Sequence, residues 1–293
     1  MTNVWLKLAH RLNEVLSDSS LDGVVITHAT DTMEETAYFL SLVAKSDKPI
    51  VMVGPIRPAT AISADEPMNL LNAITIAASS EARGRGVLVV DDSEVHFARE
   101  VEKTNSARLD SFESPNRGRA GMIVDGHAVF FSVPTLRFGL QSEFSVEGIT
   151  ELPRVEIVYS YANFGRDTID YLVSQGVKGI VLAGVGDGNT TDEALVGLQD
   201  AANKGVVRWK PANCCCQRGY LRTKTTRREI GCSKLLHKLL HTRFPERPKM
   251  HQNGSGSLTV HNNIRKVGSF RNRQVIGSSP IVGSILTWSG PDT

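Results

Sequence analysis

The chain has 293 residues, of which 41% are hydrophobic and 22% charged, and its 33 basic and 31 acidic residues give a net charge of +2. This composition is typical of a globular protein with a sizeable core, and it excludes a collagen and a wholly disordered chain. The apolar runs fall well short of the roughly 20 residues that cross a bilayer, which excludes a transmembrane protein. The residues after Met1 mix apolar and charged side chains, unlike a signal peptide.

The first part of the chain predicts alternating helices and strands. Apolar residues at helical spacing between Trp5 and Leu16 predict an amphipathic helix. The β-branched run at 23–27 then predicts a buried strand. The alternation continues with a helix at 32–42, a strand at 49–54, a helix at 67–78 and a strand at 86–90. This order predicts βαβ units and a parallel sheet.

The rest of the first two-thirds predicts a turn-rich stretch followed by a second alternating block. Residues 105–152 contain many turns, and their clearest β segments lie at 122–124 and 128–133. The second block comprises a strand at 155–159, a helix at 168–175, a strand at 179–184 and a helix at 192–204. We therefore predict two α/β domains, 1–150 and 151–207, with a boundary near 147–153.

Polar residues follow the first two predicted strands, where open parallel sheets place their ligands. The segment 27–32 brings three threonines, a histidine and Asp31 to this edge. The Thr30 hydroxyl is a poor nucleophile unless a base activates it, and a desolvated lysine such as Lys103 can serve as that base. Spacing alone leaves open the alternative that 27–32 is a polar helix-capping loop and Lys103 a solvated surface lysine.

Several segments together resemble the bacterial-type L-asparaginases and glutaminase-asparaginases. The stretch DGVVITHATDTMEET at 22–36 is similar to that family's signature T-H-G-T-D-T-x-E-E-T. Further segments resemble the family in the same order along the chain: 46–51, 57–65, 67–70, 84–90, 103–105, 161–163 and 178–186. The resemblance extends from about Trp5 to Val207.

The resemblance implies a fold and an activity. The fold would be a flavodoxin-like parallel-sheet N-terminal domain with a smaller α/β C-terminal domain. The activity would be hydrolysis of the side-chain amide of asparagine, and to some extent glutamine, to the acid and ammonia, without metal or organic cofactor. By position, Thr30, Asp31 and Lys103 match the family's catalytic triad, and Thr30 and Asp31 also bind the substrate. Asn163 matches a residue that a neighbouring subunit of a homotetramer contributes.

The sequence also departs from the family pattern. The match begins at the helix before the signature, so the strand that carries the family's first nucleophilic threonine is missing from it. Ala29 replaces the glycine of the signature, Pro55 replaces a small residue, and Glu66 replaces another glycine. Because Cβ atoms and a proline ring restrict the backbone, we expect an N-terminally truncated, impaired enzyme. The family occurs both in the cytoplasm and as exported proteins, so the compartment stays open.

The residues after Val207 differ in charge from those before them. Residues 208–293 carry 16 basic and 3 acidic side chains and all four cysteines, whereas residues 1–207 have an excess of 11 acidic side chains. We interpret this basic tail as the product of a change of reading frame near Val207, and we predict that it is disordered. The C-terminal domain would then be incomplete, and we expect tetramer assembly to fail.

Three other functions were weighed against this interpretation. A zinc site could use Cys214–Cys216, Cys232, His237, His241 and His251, but three contiguous cysteines match no common ligand spacing. The basic tail could bind nucleic acid, with stacking by Trp209, Tyr220, Phe244, Phe270 and Trp288. Finally, the Thr30–Asp31 segment could hold an amino acid without hydrolysing it. The resemblance favours an enzyme over all three.

Overall fold

The computed structural model describes residues 2–209, 270–273 and 282–288. The chain divides into two compact units: Met1–Glu147 with Pro248–Thr293, and Gly148–Arg247. Within the described residues, both units combine helices and strands, which confirms the predicted α/β class. In this part of the chain no helix is long and apolar enough to cross a membrane.

The helices and strands follow one another along the chain with short connections. In the first unit they are α1 (Thr2–Leu16), β1 (Gly23–His28), α2 (Met33–Val43), β2 (Ile50–Val53), α3 (Glu66–Ala78), β3 (Val87–Asp91), β4 (Glu94–Phe97), β5 (Glu102–Lys103), β6 (Phe112–Glu113), β7 (Gly121–Val124) and β8 (His127–Phe130). In the second unit they are β9 (Val155–Tyr159), α4 (Asp167–Ser174), β10 (Gly179–Ala183), α5 (Asp192–Asn203) and β11 (Val207–Trp209). The last two strands, β12 (Phe270–Arg273) and β13 (Val282–Trp288), return to the first unit.

The main sheet of the first unit has the strand order β12-β13-β1-β2-β3-β4-β7-β8. Strands β1, β2 and β3 pair in parallel. The other described pairs of this sheet are antiparallel. The predicted parallel sheet is thus confirmed at its centre, and antiparallel strands flank it.

Two tight hairpins explain the antiparallel strands on one side. Asp92 and Ser93 join β3 to β4 with φ values of 42° and 66°, and Asp125 and Gly126 join β7 to β8 with 49° and 76°. Positive φ at both central residues is the requirement of a type I′ turn, which asparagine, aspartate and glycine meet at low cost. A two-residue connection can join only antiparallel neighbours.

The core of the first unit lies on both faces of the parallel strands. Every residue of β2 and β3 is buried. On one face Val25, Val51 and Leu88 pack against Ala73 and Ile76 of α3. The alternate side chains point to the opposite face, where α2 contacts β3 and α1 contacts α2. A sheet covered on both faces explains why its strands are continuous apolar runs in the sequence.

The edge of β1 is paired by a strand from the far end of the chain. The β13 backbone pairs antiparallel to β1 from Gly23↔Trp288 to Ile26↔Ile285, and after a register shift the next pair is His28↔Val282. Strands β12 and β13 lie inside the segment 208–293 that the sequence predicts to be disordered. The prediction for the rest of that segment lies outside the described residues.

The second unit contains a small parallel sheet of order β11-β10-β9. Ile180 and Leu182 of β10 pack with Ile169 of α4 and Leu198 of α5. The N-terminus of α5 is capped by the Thr191 side chain, which accepts a hydrogen bond from the Ala194 N–H. A smaller α/β unit after the boundary is therefore present, as predicted.

Candidate functional site

The threonine-rich segment after β1 forms a turn at the carboxyl end of the parallel strands. Thr30–Thr32 is a single turn of 3₁₀ helix, and α2 begins directly after it at Met33. Because β1 is buried and α2 packs below the sheet, this turn has little freedom to move. Ala29, the residue before it, is extended, with φ −64° and ψ 140°. The turn presents Thr30, half-buried, and Asp31, exposed, at this edge.

Lys103 reaches this turn from a strand more than 70 residues later in the chain. Its Nζ donates to Thr30 Oγ1 at 2.8 Å and to Asp31 Oδ1 at 2.7 Å. The Lys103 side chain is 16% exposed, whereas that of Asp31 is 90% exposed. The three predicted catalytic residues therefore meet, with a nearly buried amine between a hydroxyl and an open carboxylate.

The electrostatics of the turn favour an ionised Asp31. The hydrogen bond from Lys103, together with its positive charge, lowers the pKa of Asp31 below its ordinary value. An exposed carboxylate in this state can accept hydrogen bonds from an incoming cation on its open side. The Thr30 hydroxyl lies 2.8 Å from the only kind of group here, an amine, that could remove its proton.

The backbone of Lys103 is fixed as well as its side chain. Glu34, in the first turn of α2, accepts a hydrogen bond from the Lys103 N–H through Oε2 at 2.5 Å. Lys103 also pairs with Phe112 in the short ladder of β5 and β6. Helix α2 thus positions both sides of the site, since it starts at the Thr30 turn and carries Glu34.

A close backbone contact supports the turn from the neighbouring strand. Gly54 follows β2, and a Cβ at this position would lie 2.1 Å from the His28 carbonyl oxygen and 3.3 Å from Thr30 Cγ2. The His28 ring is buried, and its Nδ1 donates to the Ala29 carbonyl at 2.6 Å. Burial lowers the pKa of His28, so the ring is neutral. Only glycine fits at position 54 without displacing the Thr30 turn.

A polar network lies at the ends of β2 and β3. Asp65 accepts the backbone N–H groups of Ile56 and Arg57, both at 2.8 Å, and so closes the loop after β2. Asn69 donates to Asp65 at 3.0 Å and to Asp91 at 3.3 Å. Asp91 is buried, and burial raises its pKa to about 7. The sequence analysis singled out the segment with Asp65 but missed Asn69 and Asp91.

Asn163 belongs to the second unit, in the turn that follows β9. It has a φ of 63°, which is uncommon for a residue with a side chain, and it is exposed. Its neighbour Phe164 is buried in the core of that unit and packs edge-on against Tyr161 at 5.3 Å. The fold therefore holds Asn163 outward on a well-anchored turn.

The described residues contain no group of three or more histidine, cysteine, aspartate or glutamate side chains that could hold a metal ion. The four cysteines and three histidines weighed as zinc ligands lie outside the described residues, as do most of the aromatic residues considered for nucleic-acid stacking.

Comparison with known proteins identifies the family. The sequence model "Asparaginase, N-terminal" matches residues 1–136, and "Glutaminase/Asparaginase C-terminal domain" matches residues 154–210. The structure of a probable cytoplasmic L-asparaginase from Campylobacter jejuni superposes with a TM-score of 0.73 at 40% identity, covering 76% of this chain and 71% of that one. The chain belongs to the asparaginase family.

Curated relatives in the asparaginase family agree with this assignment. L-asparaginase 2 of Bacillus subtilis is 48% identical over 204 residues, which cover 70% of this chain and 54% of the relative. Glutaminase-asparaginase of Pseudomonas fluorescens is 44% identical over 201 residues, which cover 69% and 55%. The chain thus spans about half the length of these curated relatives.

Two departures from the asparaginase signature are well tolerated. Ala29 has a negative φ in extended backbone, so its Cβ does not strain the turn. Glu66 is the first residue of α3, where it is exposed and its charge interacts favourably with the helix dipole. Pro55 lies at the start of the loop that Asp65 closes, and the N–H groups that Asp65 binds belong to the two residues after it.

Proposed function

We propose that the chain carries the Thr-Asp-Lys chemistry of an asparaginase-type amidohydrolase, hydrolysing asparagine, and to some extent glutamine, to the acid and ammonia. One observation carries the proposal: Lys103 Nζ lies within hydrogen-bond distance of both Thr30 Oγ1 and Asp31 Oδ1. The relatives' names, L-asparaginase and glutaminase-asparaginase, supply the substrate class.

In this proposal Thr30 acts on the substrate amide as an activated hydroxyl. Lys103 accepts the Thr30 proton while the oxygen bonds to the amide carbon, and it then returns a proton to the nitrogen as ammonia leaves. Water hydrolyses the resulting ester and restores the threonine. The balance is asparagine plus water to aspartate plus ammonium, and no cofactor is needed.

Asp31 has two roles that are linked through charge. Without substrate it pairs with Lys103 and favours the ammonium form, which cannot accept a proton. Its exposed face can bind the α-ammonium of the substrate. A second cation beside Lys103 would disfavour the Lys103 ammonium, so substrate binding would promote the neutral amine that activates Thr30.

The proposal extends to the second unit through Asn163. Its exposed turn and its left-handed backbone fit a residue held ready for a ligand. We propose that Asn163 of one copy contributes to substrate binding at the Thr30 site of another copy, in a homotetramer. This part is tested separately, by the oligomeric state of the purified chain and by the KM of Asn163→Ala.

The central test is ammonia release from asparagine and glutamine by the purified chain, compared with Thr30→Ala and Lys103→Met. We expect each variant to lose roughly 10³-fold or more in kcat, since removal of a nucleophile or its base has effects of this size in other hydrolases. Thr75→Ala and Lys7→Met, on the outer surfaces of α3 and α1, are matched controls that should retain activity. Turnover that survives Thr30→Ala would overturn the proposal, as would binding of asparagine without ammonia release.

A further inference from the structure

A second cavity of about 200 Å³ lies in the first unit. It is enclosed by α2, by the end of β4 and by the segments around residues 117 and 132–138. None of its lining residues is Thr30, Asp31 or Lys103, so it is a different site from the proposed catalytic one. We call it the arginine pocket, because its lining includes Arg85, Arg99, Arg117 and Arg137.

The charge of the arginine pocket is strongly positive. Glu100 is the one acidic side chain among the lining residues, against four arginines. It lies 3.9 Å from Arg99 Nε and 3.7 Å from Arg117 Nε, so it faces two of the guanidinium groups at once. The formal charge of the lining is therefore +3, and an anion that enters would meet an uncompensated positive field.

The guanidinium groups are held in place by neighbouring atoms. Arg99 Nη1 donates to the Tyr38 hydroxyl at 2.8 Å, and Arg117 Nη1 donates to Thr135 Oγ1 at 2.7 Å. Arg85 donates to the carbonyls of Glu81 and Ser132 at 2.5 and 2.6 Å, and it stacks on the Phe130 ring at 4.1 Å. Each group has five N–H donors, so these contacts fix the arginines without using all their donors.

The rest of the arginine pocket is apolar. Leu42, Val87 and Phe97 come from the core elements, and Leu136 and Phe138 come from the segment that closes the cavity. Burial lowers the pKa of Arg85, which shows that this side chain is poorly hydrated. Positive groups beside an apolar wall favour a ligand that has both an anionic end and a hydrophobic body.

We propose that the arginine pocket binds a small organic anion, a carboxylate or a phosphate ester, that carries an apolar body. The anionic end contacts Arg99 and Arg117, whose planar guanidinium groups match the geometry of both anions. The apolar body packs against Leu136 and Phe138. A cavity of about 200 Å³ limits the ligand to one ring or a short chain.

Calorimetry with the full chain and four probes tests this proposal. The probes are 3-phenylpropionate, phenyl phosphate, the neutral 3-phenylpropanamide, and acetate, which lacks the apolar body. We expect at least one of the first two to bind, at least tenfold more tightly than the amide and acetate, and more weakly as the salt concentration rises. The stronger of the two identifies the anion class. Equal binding of the amide, or no binding of either aromatic anion, would overturn the proposal.

A matched pair of arginine variants locates the binding. Arg117→Gln removes a partly exposed charge of the pocket lining, and Arg119→Gln removes a similarly exposed charge that pairs with Glu94 outside it. We expect roughly tenfold weaker binding of the anionic probe to Arg117→Gln and unchanged binding to Arg119→Gln, with both variants melting cooperatively. Equal effects of the two substitutions would refute binding in the arginine pocket. Phe138 side-chain NMR shifts on probe addition provide a second measurement that is independent of the substitutions.

Discussion

Asp31 and Asp91 are two aspartates at the same edge of the same sheet, and the fold gives them opposite properties. Asp31 follows β1, is exposed and has a pKa lowered by Lys103. Asp91 ends β3, is buried and has a pKa raised to about 7 by burial. The position of a carboxylate at the end of a parallel strand does not by itself set its role. A nearby cation and access to solvent suit Asp31 to a substrate, whereas Asp91 is enclosed in the scaffold.

The largest expected effect separates the two aspartates by activity. Asp31→Asn removes the anion that orients Lys103 and is proposed to bind the substrate's ammonium, so we expect roughly a thousandfold loss of kcat/KM with an unchanged melting temperature. The measurement is ammonia release, with circular dichroism as the check on folding. Asp91→Asn should retain most of its activity at neutral pH. Equal losses in two folded variants would show that the comparison is mistaken.

The second prediction concerns how stability depends on pH. The pKa of Asp91 is about 7 in the folded state and 3.8 as a model value, so between these pH values the folded state binds more protons than the unfolded state. Its contribution is therefore fully present below about pH 4 and is lost as the pH rises to about 7, by at most roughly 4 kcal/mol. Urea unfolding at pH 5 and pH 8 measures this loss.

Asp91→Asn should remove that part of the pH dependence. Asp125→Asn is the matched control, because Asp125 is an exposed turn residue with positive φ, a conformation that asparagine also tolerates. We expect the control to show the same pH dependence as the parent chain. A slope in Asp91→Asn identical to that of the parent would mean that Asp91 does not titrate in this range.

The third prediction tests the support of the Thr30 turn. Gly54→Ala places a Cβ 2.1 Å from the His28 carbonyl oxygen, which forces β1 and β2 apart at their carboxyl ends. We expect a loss of about 2–3 kcal/mol of unfolding free energy and reduced ammonia release. Gly165→Ala is the control, since its Cβ would meet its nearest neighbour at an ordinary 3.6 Å. Equal stability of the two variants would contradict the close contact at Gly54.

The sequence predicts some parts of this molecule far better than others. The alternation of apolar periodicities predicted the central strands and helices, because a buried parallel strand and an amphipathic helix each have a local pattern. Thr30, Asp31 and Lys103 could be predicted only as a set, through resemblance to a family. Spacing alone left Lys103 as an ordinary surface lysine, since nothing local shows that β5 lies beside the end of β1.

Other features depend on contacts that no local pattern encodes. The pairing of β13 with β1 joins backbone segments that are more than 250 residues apart in the sequence, and Asn69 meets Asp91 only after β2 and β3 align. The Asp125-Gly126 turn, in contrast, was a readable signal for an antiparallel hairpin. The need for glycine at position 54 follows from the approach of His28, which only the folded structure reveals.

The smallest expected effect concerns Glu34, which lies between the two aspartates in function: it is a buried-side positioning group of the open site. Its Oε2 accepts the Lys103 N–H, a charge-assisted bond that Gln would replace with a weaker neutral one. We expect Glu34→Gln to lower kcat about tenfold with an unchanged KM, because substrate contacts remain while the amine shifts away from Thr30. Glu35→Gln, on the same turn of α2, should have little effect.

A double-mutant cycle distinguishes positioning from a general structural role of Glu34. If Glu34 acts through Lys103, its substitution should lower kcat in the parent chain but cause no further loss in Lys103→Met, since the group that it positions is then absent. Residual turnover in Lys103→Met must be measurable, so a high enzyme concentration and a long assay are needed. A full tenfold additional loss in the double variant would show that Glu34 affects the site independently of Lys103.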